Sequence, residues 1–148
     1  MLVHKVGDLF DSKQPALGHG VNTHGVMGSG IAPIFKKKFP EIWHPYSTVC
    51  RTGTLTPGSV LPVFSQGKWI LNMASQDAPG ANASLKWLEE SLDAALSWMR
   101  SEGVSGLAIP RIGAGIGGLD WDDVLKLLER KSDEYADLTL EVWSLPGA

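Results

Sequence analysis

Two glycine-rich runs, each set between a short apolar segment and a helical stretch, constrain this chain more than any other feature. The first, Gly25-Val26-Met27-Gly28-Ser29-Gly30-Ile31, follows the small-residue segment Ala16 to Asn22 and leads into Ala32-Pro33-Ile34-Phe35-Lys36-Lys37-Lys38. The second, Gly113-Ala114-Gly115-Ile116-Gly117-Gly118, follows the wholly apolar Leu107-Ala108-Ile109 and leads into Leu119-Asp120-Trp121. A glycine turn ahead of a helix presents bare backbone N–H groups, and the helix dipole adds roughly half a positive charge there. One such loop suits a phosphate. Two in one small chain suit two linked phosphates held from opposite sides, so the expected ligand is a nucleotide carrying a diphosphate.

The rest of the pattern predicts strands and helices in alternation. Leu2 to Val6 alternates and is ended by Gly7-Asp8, and Ala16 to Asn22 reads as a buried strand. Helices are expected over roughly Ile31 to Phe39, stopped by Pro40, and over Glu41 to Arg51. Ser59 to Phe64 and Lys68 to Met73 flank Ser65-Gln66-Gly67 as a hairpin. From Ser84, a natural N-cap, Leu85, Leu88, Leu92, Ala95, Leu96 and Met99 recur at helical spacing until Gly103. Leu107-Ala108-Ile109 suits a strand buried on both faces. A helix over Trp121 to Arg130 and a strand over Leu138 to Trp143 complete the series. Interleaved strands and helices with one hairpin predict an α/β fold, a mixed sheet between helical layers. No repeat or linker divides the sequence, so residues 1–148 are expected to form one domain.

Composition narrows the function. With 43% hydrophobic and 20% charged residues the chain reads as ordinary globular protein. No stretch approaches the ~20 apolar residues of a membrane span, and Met1 to Asp8 lacks the regions of a signal peptide, so a cytoplasmic protein is expected. The lone Cys50 excludes an internal disulfide and fits a small buried hydrophobe better than a nucleophile. His4, His19, His24 and His44 lack metal-ligand spacing, so neither a metal nor a cofactor is expected. A net charge of −3 argues against general nucleic-acid binding. Lys36-Lys37-Lys38, the sole basic run, is a solvated face or draws an anion toward the first loop.

Gly113, Gly115 and Gly118 fit the dinucleotide fingerprint G-x-G-x-x-G, but only one strand follows them, where that fold needs two. Neither run is followed by G-K-[ST], which removes the P-loop reading. Among polar residues near the loops, Asp8 is either a turn aspartate or an acceptor for a base amino group. Asn22 either bonds ribose hydroxyls or ties down the first loop. His19, in a small-residue strand, is either a satisfied core histidine or catalytic. Asp77 sits in the polar loop Ser75 to Asn82 with no evident structural duty, which makes it the candidate acid or base there.

In this order, Gly7-Asp8-Leu9, Leu17 to Asn22, Gly25 to Ala32 and Ile109 to Trp121 resemble the macrodomain family, from Val6 to about Leu145. The similar branch includes terminal ADP-ribose glycohydrolases, antitoxins that reverse ADP-ribosylation of DNA, and ADP-ribose 1″-phosphate phosphatases. The resemblance implies a three-layer α/β/α fold binding ADP-ribose at one end of the sheet. Asp8 would accept the adenine amino group, Leu9 would lie beside the base and Asn22 would approach the distal ribose. Backbone groups of Gly28, Ser29, Gly30 and Ile31 would hold one side of the diphosphate, and those of Gly113, Ala114, Gly115, Ile116 and Gly117 the other. The glycohydrolases carry a lysine just after the strand corresponding to Ile70–Met73, where this chain has Ala74-Ser75-Gln76. They also place an aspartate in the second loop, where this chain has Gly117 or Gly118. The phosphatases share a histidine at the place of His19 and lack that lysine. The resemblance therefore implies hydrolysis of an ADP-ribose derivative at or near C1″, without metal, with His19 and Asp77 as acid–base groups beside Asn22. A module that only recognises or sequesters ADP-ribose or ADP-ribosylated targets would share every loop residue, and a structural or protein-binding role lies outside the resemblance.

Overall fold

The computed structural model describes residues 1–114 and 117–147, so Gly115, Ile116 and Ala148 lie outside the described residues. Six strands, β1 (Leu2–Val6), β2 (Ala16–Gly20), β3 (Val60–Ser65), β4 (Lys68–Met73), β5 (Gly106–Ile109) and β6 (Thr139–Ser144), form one sheet in the order β1-β6-β5-β2-β4-β3. The pairs β1–β6, β6–β5, β5–β2 and β2–β4 are parallel, and β3 joins the edge antiparallel to β4 through the expected hairpin. Five strands therefore end, at their carboxyl termini, along one side of the sheet.

Two-residue periodicity sorts the side chains onto the two faces. In β4, Ile70 enters one core and Leu71 the other; in β5, Leu107 and Ile109 flank Ala108 in the same way. The helices α3 (Leu85–Glu102) and α4 (Trp121–Glu134) cover the Leu71 face through Leu88, Leu92, Leu96, Met99, Leu127 and Leu128. The helices α1 (Ala32–Lys38) and α2 (Trp43–Arg51) cover the other with Phe35 and Tyr46. The three-layer α/β/α arrangement follows. Each fully buried Leu, Ile or Phe contributes roughly 1.5–3 kcal/mol through apolar area removed from water.

The ends of α3 are set as the sequence predicts. Ser84 Oγ accepts from Trp87 N at 3.4 Å, and Gly103 closes the helix with φ +72°. Strand β2 ends at Gly20 rather than Asn22, β3 and β6 each sit one residue later than expected, and two helix boundaries also differ. Pro40–Ile42 forms a separate 3₁₀ turn before α2, because Phe39 at φ −128° and ψ 68° breaks α1 ahead of the proline. Helix α4 continues one turn past Arg130. There Lys131, in a buried position, reaches Glu89 (3.5 Å) and Asp93 (2.9 Å) on α3 and Glu134 (3.0 Å) on α4. Burial alone would lower the Lys131 pKa, but these carboxylates hold it above the ordinary lysine value. No helix among the described residues is long and apolar enough to cross a membrane.

Candidate functional site

The carboxyl ends of the parallel strands open into one cavity of about 650 Å³. Strand order lays out its wall. At one end stand Gly7 and Asp8, which follow β1, and Trp143 and Ser144 from β6. The middle is Pro110 to Ala114 beyond β5 and Gly20 to Asn22 at the end of β2, with Gly28 to Ala32 of the first glycine run. The far end is Ser75 and Gln76 beyond β4. Four steps between neighbouring strands, at about 4.8 Å each, give the wall a length of roughly 19 Å. That is the scale of two sugars joined by a diphosphate. Crevices outside the carboxyl ends of an α/β sheet are also where such folds take ligands.

Asp8 caps a 3₁₀ turn at Leu9–Asp11, its Oδ1 accepting from Phe10 N at 3.0 Å, and both Asp8 and Leu9 line the cavity. The cap leaves the other carboxylate oxygen for a donor in the cavity. Beside them the wall is fixed by Glu141 on β6. Its Oε1 accepts from Ser12 Oγ (2.7 Å) and from Trp143 Nε1 (2.9 Å), and its Oε2 accepts from Gln14 Nε2 (3.1 Å). Burial pushes the Glu141 carboxyl up, but these donors outweigh it and hold the group below the ordinary glutamate value.

Asn22 is 6% exposed and spends its side chain on the first glycine run. Nδ2 donates to Val26 O at 2.8 Å, and Oδ1 accepts from His24 N at 3.0 Å and from Val26 N at 3.4 Å. The Tyr46 hydroxyl donates to Asn22 O at 2.7 Å from below. Of the two readings of Asn22, the loop tie is the one its hydrogen bonds express. Gly28, Ser29, Gly30 and Ile31 all line the cavity, and so do Gly113, Ala114 and Gly117 across from them. Gly115 and Ile116, expected to hold the same diphosphate, lie outside the described residues.

The acid–base pair expected from the resemblance is not assembled in the cavity. His19 is 0% exposed and faces the α1–α2 layer, its ring stacked on Phe35 at 4.0 Å and its Nε2 paired with Asn72 Oδ1 at 2.7 Å. Burial drives its pKa down to about 4, against a smaller upward pull from Asn72. His19 does not line the cavity, and its Nδ1 is buried with no hydrogen-bond partner among the described residues. Asp77 is half exposed, next to lining residue Gln76 but not itself in the wall. It accepts from Thr23 Oγ1 at 2.5 Å, and its carbonyl accepts from Thr23 N at 2.9 Å, which joins its loop to the first glycine run.

Sequence reasoning does not single out Gln76, Arg111 or Trp143, all of which line the cavity. Gln76 falls in Ala74-Ser75-Gln76, where the resemblance to glycohydrolases leads one to expect a lysine, and that departure is the available cue. Arg111 lies 4.6 Å over the Trp121 ring, and its Nε is buried with no hydrogen-bond partner among the described residues. The described residues contain no group of three or more His, Cys, Asp or Glu able to hold a metal.

The Macro domain family model matches residues 19–128, and these contain the end of β2, both glycine runs and the Gln76 segment. The chain belongs to the macrodomain family. It is 30% identical over 151 residues to a DNA ADP-ribosyl glycohydrolase of Mycobacterium tuberculosis, covering 99% of this chain and 43% of that protein. It is also 30% identical to the human ADP-ribose glycohydrolase OARD1, covering 94% of this chain and 88% of the other. An ADP-ribose 1″-phosphate phosphatase of Candida albicans is 29% identical over 97% of this chain and 99% of its own. The chain thus spans less than half the length of the DNA ADP-ribosyl glycohydrolase it matches. Among solved structures, the macrodomain of M. tuberculosis DarG superposes with a TM-score of 0.89 at 31% identity over 97% of both chains. Thermosipho africanus DarTG in complex with ADP-ribose superposes with a TM-score of 0.84 at 26% identity, over 98% of this macrodomain and 42% of that chain.

Proposed function

We propose that this macrodomain binds ADP-ribose along the strand ends and hydrolyses an ADP-ribose derivative at or near C1″. The observation that carries the reading is a cavity whose wall runs roughly 19 Å along the carboxyl ends of five strands, with both glycine runs lining it. Adenine lies at the Asp8–Trp143 end, the diphosphate between the backbone N–H groups of the two runs, and the distal ribose toward β4. Relatives named as ADP-ribose glycohydrolases and as an ADP-ribose 1″-phosphate phosphatase, and a structural neighbour in complex with ADP-ribose, support it. In this reading Asp77, in the loop that follows β4, is the candidate acid or base, Asn22 holds the first run in shape, and His19 supports α1 from the core. The glycine runs stabilise charge on the diphosphate without exchanging protons.

A second reading, a module that binds ADP-ribose without turnover, is favoured by one observation: neither His19 nor Asp77 lines the cavity. Calorimetric titration with ADP-ribose, with AMP and NAD as controls, tests the shared part. Selective micromolar binding is the expected result, and no binding overturns both readings. Phosphate release from ADP-ribose 1″-phosphate by the same sample then separates them. Turnover lost in Asp77→Ala with affinity retained places the aspartate in the reaction; no turnover by the parent chain leaves the binding module.

A further inference from the structure

The β4 end of the cavity carries a neutral side chain whose orientation is fixed. Gln76 follows β4, and its backbone is held by an antiparallel bridge to Ala83. Its Nε2 donates to Ala78 O at 2.8 Å and to Gly80 O at 3.2 Å. Both partners are carbonyl oxygens, which only accept, so the side-chain atom between them is the amide nitrogen and both of its hydrogens are used. The other atom, Oε1, is turned toward the second glycine run. It lies 3.7 Å from the point where a Cβ on Gly117 would stand, and Gly117 has none. Both residues line the cavity.

An amide oxygen is an acceptor that stays uncharged from acid to alkaline pH. It pairs with a hydroxyl donor and gives an anion nothing. Strand order puts it at the opposite end of the wall from Asp8 and Trp143, on the far side of the two runs. We propose that Gln76 is a specificity-determining residue, its Oε1 accepting a hydrogen bond from a hydroxyl of the ligand's distal sugar across the gap that Gly117 leaves open. The assignment rests on the ADP-ribose reading above. It gives Gln76 a duty opposite to that of a cation, because the group it selects is a donor.

The test is calorimetry on the full chain with ADP-ribose and with ADP, which shares the base, ribose and diphosphate but lacks the distal sugar. Gln76→Met keeps side-chain length and removes the acceptor, though it also drops the two bonds to the loop carbonyls. Gly117→Ala is the complementary variant, because it leaves Gln76 its donors and sets a methyl group against Oε1. Its closest neighbour is Ala83 Cβ at 3.1 Å, a contact that must give by a few tenths of an ångström. With a hydrogen-bonded hydroxyl lost, the ADP-ribose Kd should rise about tenfold more than the ADP Kd in both variants, the ADP value carrying any effect of Gly117→Ala on the diphosphate itself. A parallel loss for ADP and ADP-ribose would make Gln76 a loop support only, and an unchanged ADP-ribose affinity would remove the contact; either overturns the proposal. If the parent chain binds ADP and ADP-ribose equally, this inference fails and the cavity reading stands. If it binds neither, the cavity reading fails and takes the inference with it.

Discussion

His19 makes a pH prediction because its two environments differ so much. Enclosed between Asn72 and Phe35, it has its pKa driven by burial from the ordinary 6.5 down to about 4. At pH 7 the imidazole is neutral in the folded chain and mostly neutral in the unfolded one. Below pH 6.5 the unfolded chain takes up a proton that the folded chain refuses until about pH 4, so stability falls with acidification through that window. The full effect is about 3 kcal/mol. Urea unfolding between pH 7 and 4.5 should show this slope, and His19→Gln should flatten it. A slope that persists unchanged in the variant assigns the acid sensitivity to other groups. The tie between Tyr46 and Asn22 gives a second test. Tyr46→Phe leaves a buried carbonyl without its donor and should cost about 1–3 kcal/mol in urea unfolding, with weaker ADP-ribose binding as the first run loosens. An unaltered denaturation midpoint would mean water replaces the hydroxyl. Residue types near the loops are readable from sequence, but their partners are not. Nothing beside Leu17-Gly18-His19 announces that Asn72, 53 positions away, takes the imidazole nitrogen. Likewise Asn22 looks equally fit for ribose or loop until Val26 and His24 are seen around it.

Helices and strands are legible where one local rule governs an end and obscure where packing does. Ser84 and Gly103 bracket α3 because capping chemistry is local, and the wholly apolar β5 is legible because both of its faces are covered. The extension of α4 past Arg130 is set by Glu89 and Asp93 on another helix, and the 3₁₀ turn at Pro40–Ile42 by the way Phe39 leaves α1. Two glycines with similar backbone angles separate local from tertiary cost. Gly103 has φ +72° and nothing within 4 Å of an added Cβ; Gly113 has φ +78°, with Leu119 Cδ1 at 2.9 Å and Leu88 Cδ2 at 3.2 Å. Gly103→Ala should cost about 1 kcal/mol, the strain of a left-handed residue alone. Gly113→Ala adds overpacking of about 1–3 kcal/mol. It also displaces the second run, so ADP-ribose affinity should fall with stability, whereas Gly103→Ala leaves affinity unchanged. Thermal melts with and without ADP-ribose measure both; equal effects of the two substitutions would refute the distinction.

Across the whole molecule, strand order does the work that single motifs only suggest. Asp8, Asn22, the two glycine runs and Gln76 are scattered over more than a hundred positions, yet they become one wall because five strands end on the same side. The sequence shows which segments are strands but not that β6 slots between β1 and β5, since pairing between distant segments leaves no local periodicity. Glu141 is the joint at the Asp8–Trp143 end, where adenine is proposed to lie, tying Ser12, Gln14 and Trp143 together. Glu141→Leu should therefore weaken AMP and ADP-ribose by similar factors, and a loss confined to ADP-ribose would show that the joint serves another part of the cavity. The opposite border of the sheet has a different consequence. Strand β3 is the antiparallel edge, with Val60, Leu61, Val63 and the exposed Phe64 in one short run, a composition prone to recruiting a foreign strand. Pro62 sits in the middle of that run and has no N–H to offer. The molecule can thus carry an apolar border without zipping to its neighbours, and Pro62→Val should lower the temperature at which light scattering detects aggregation.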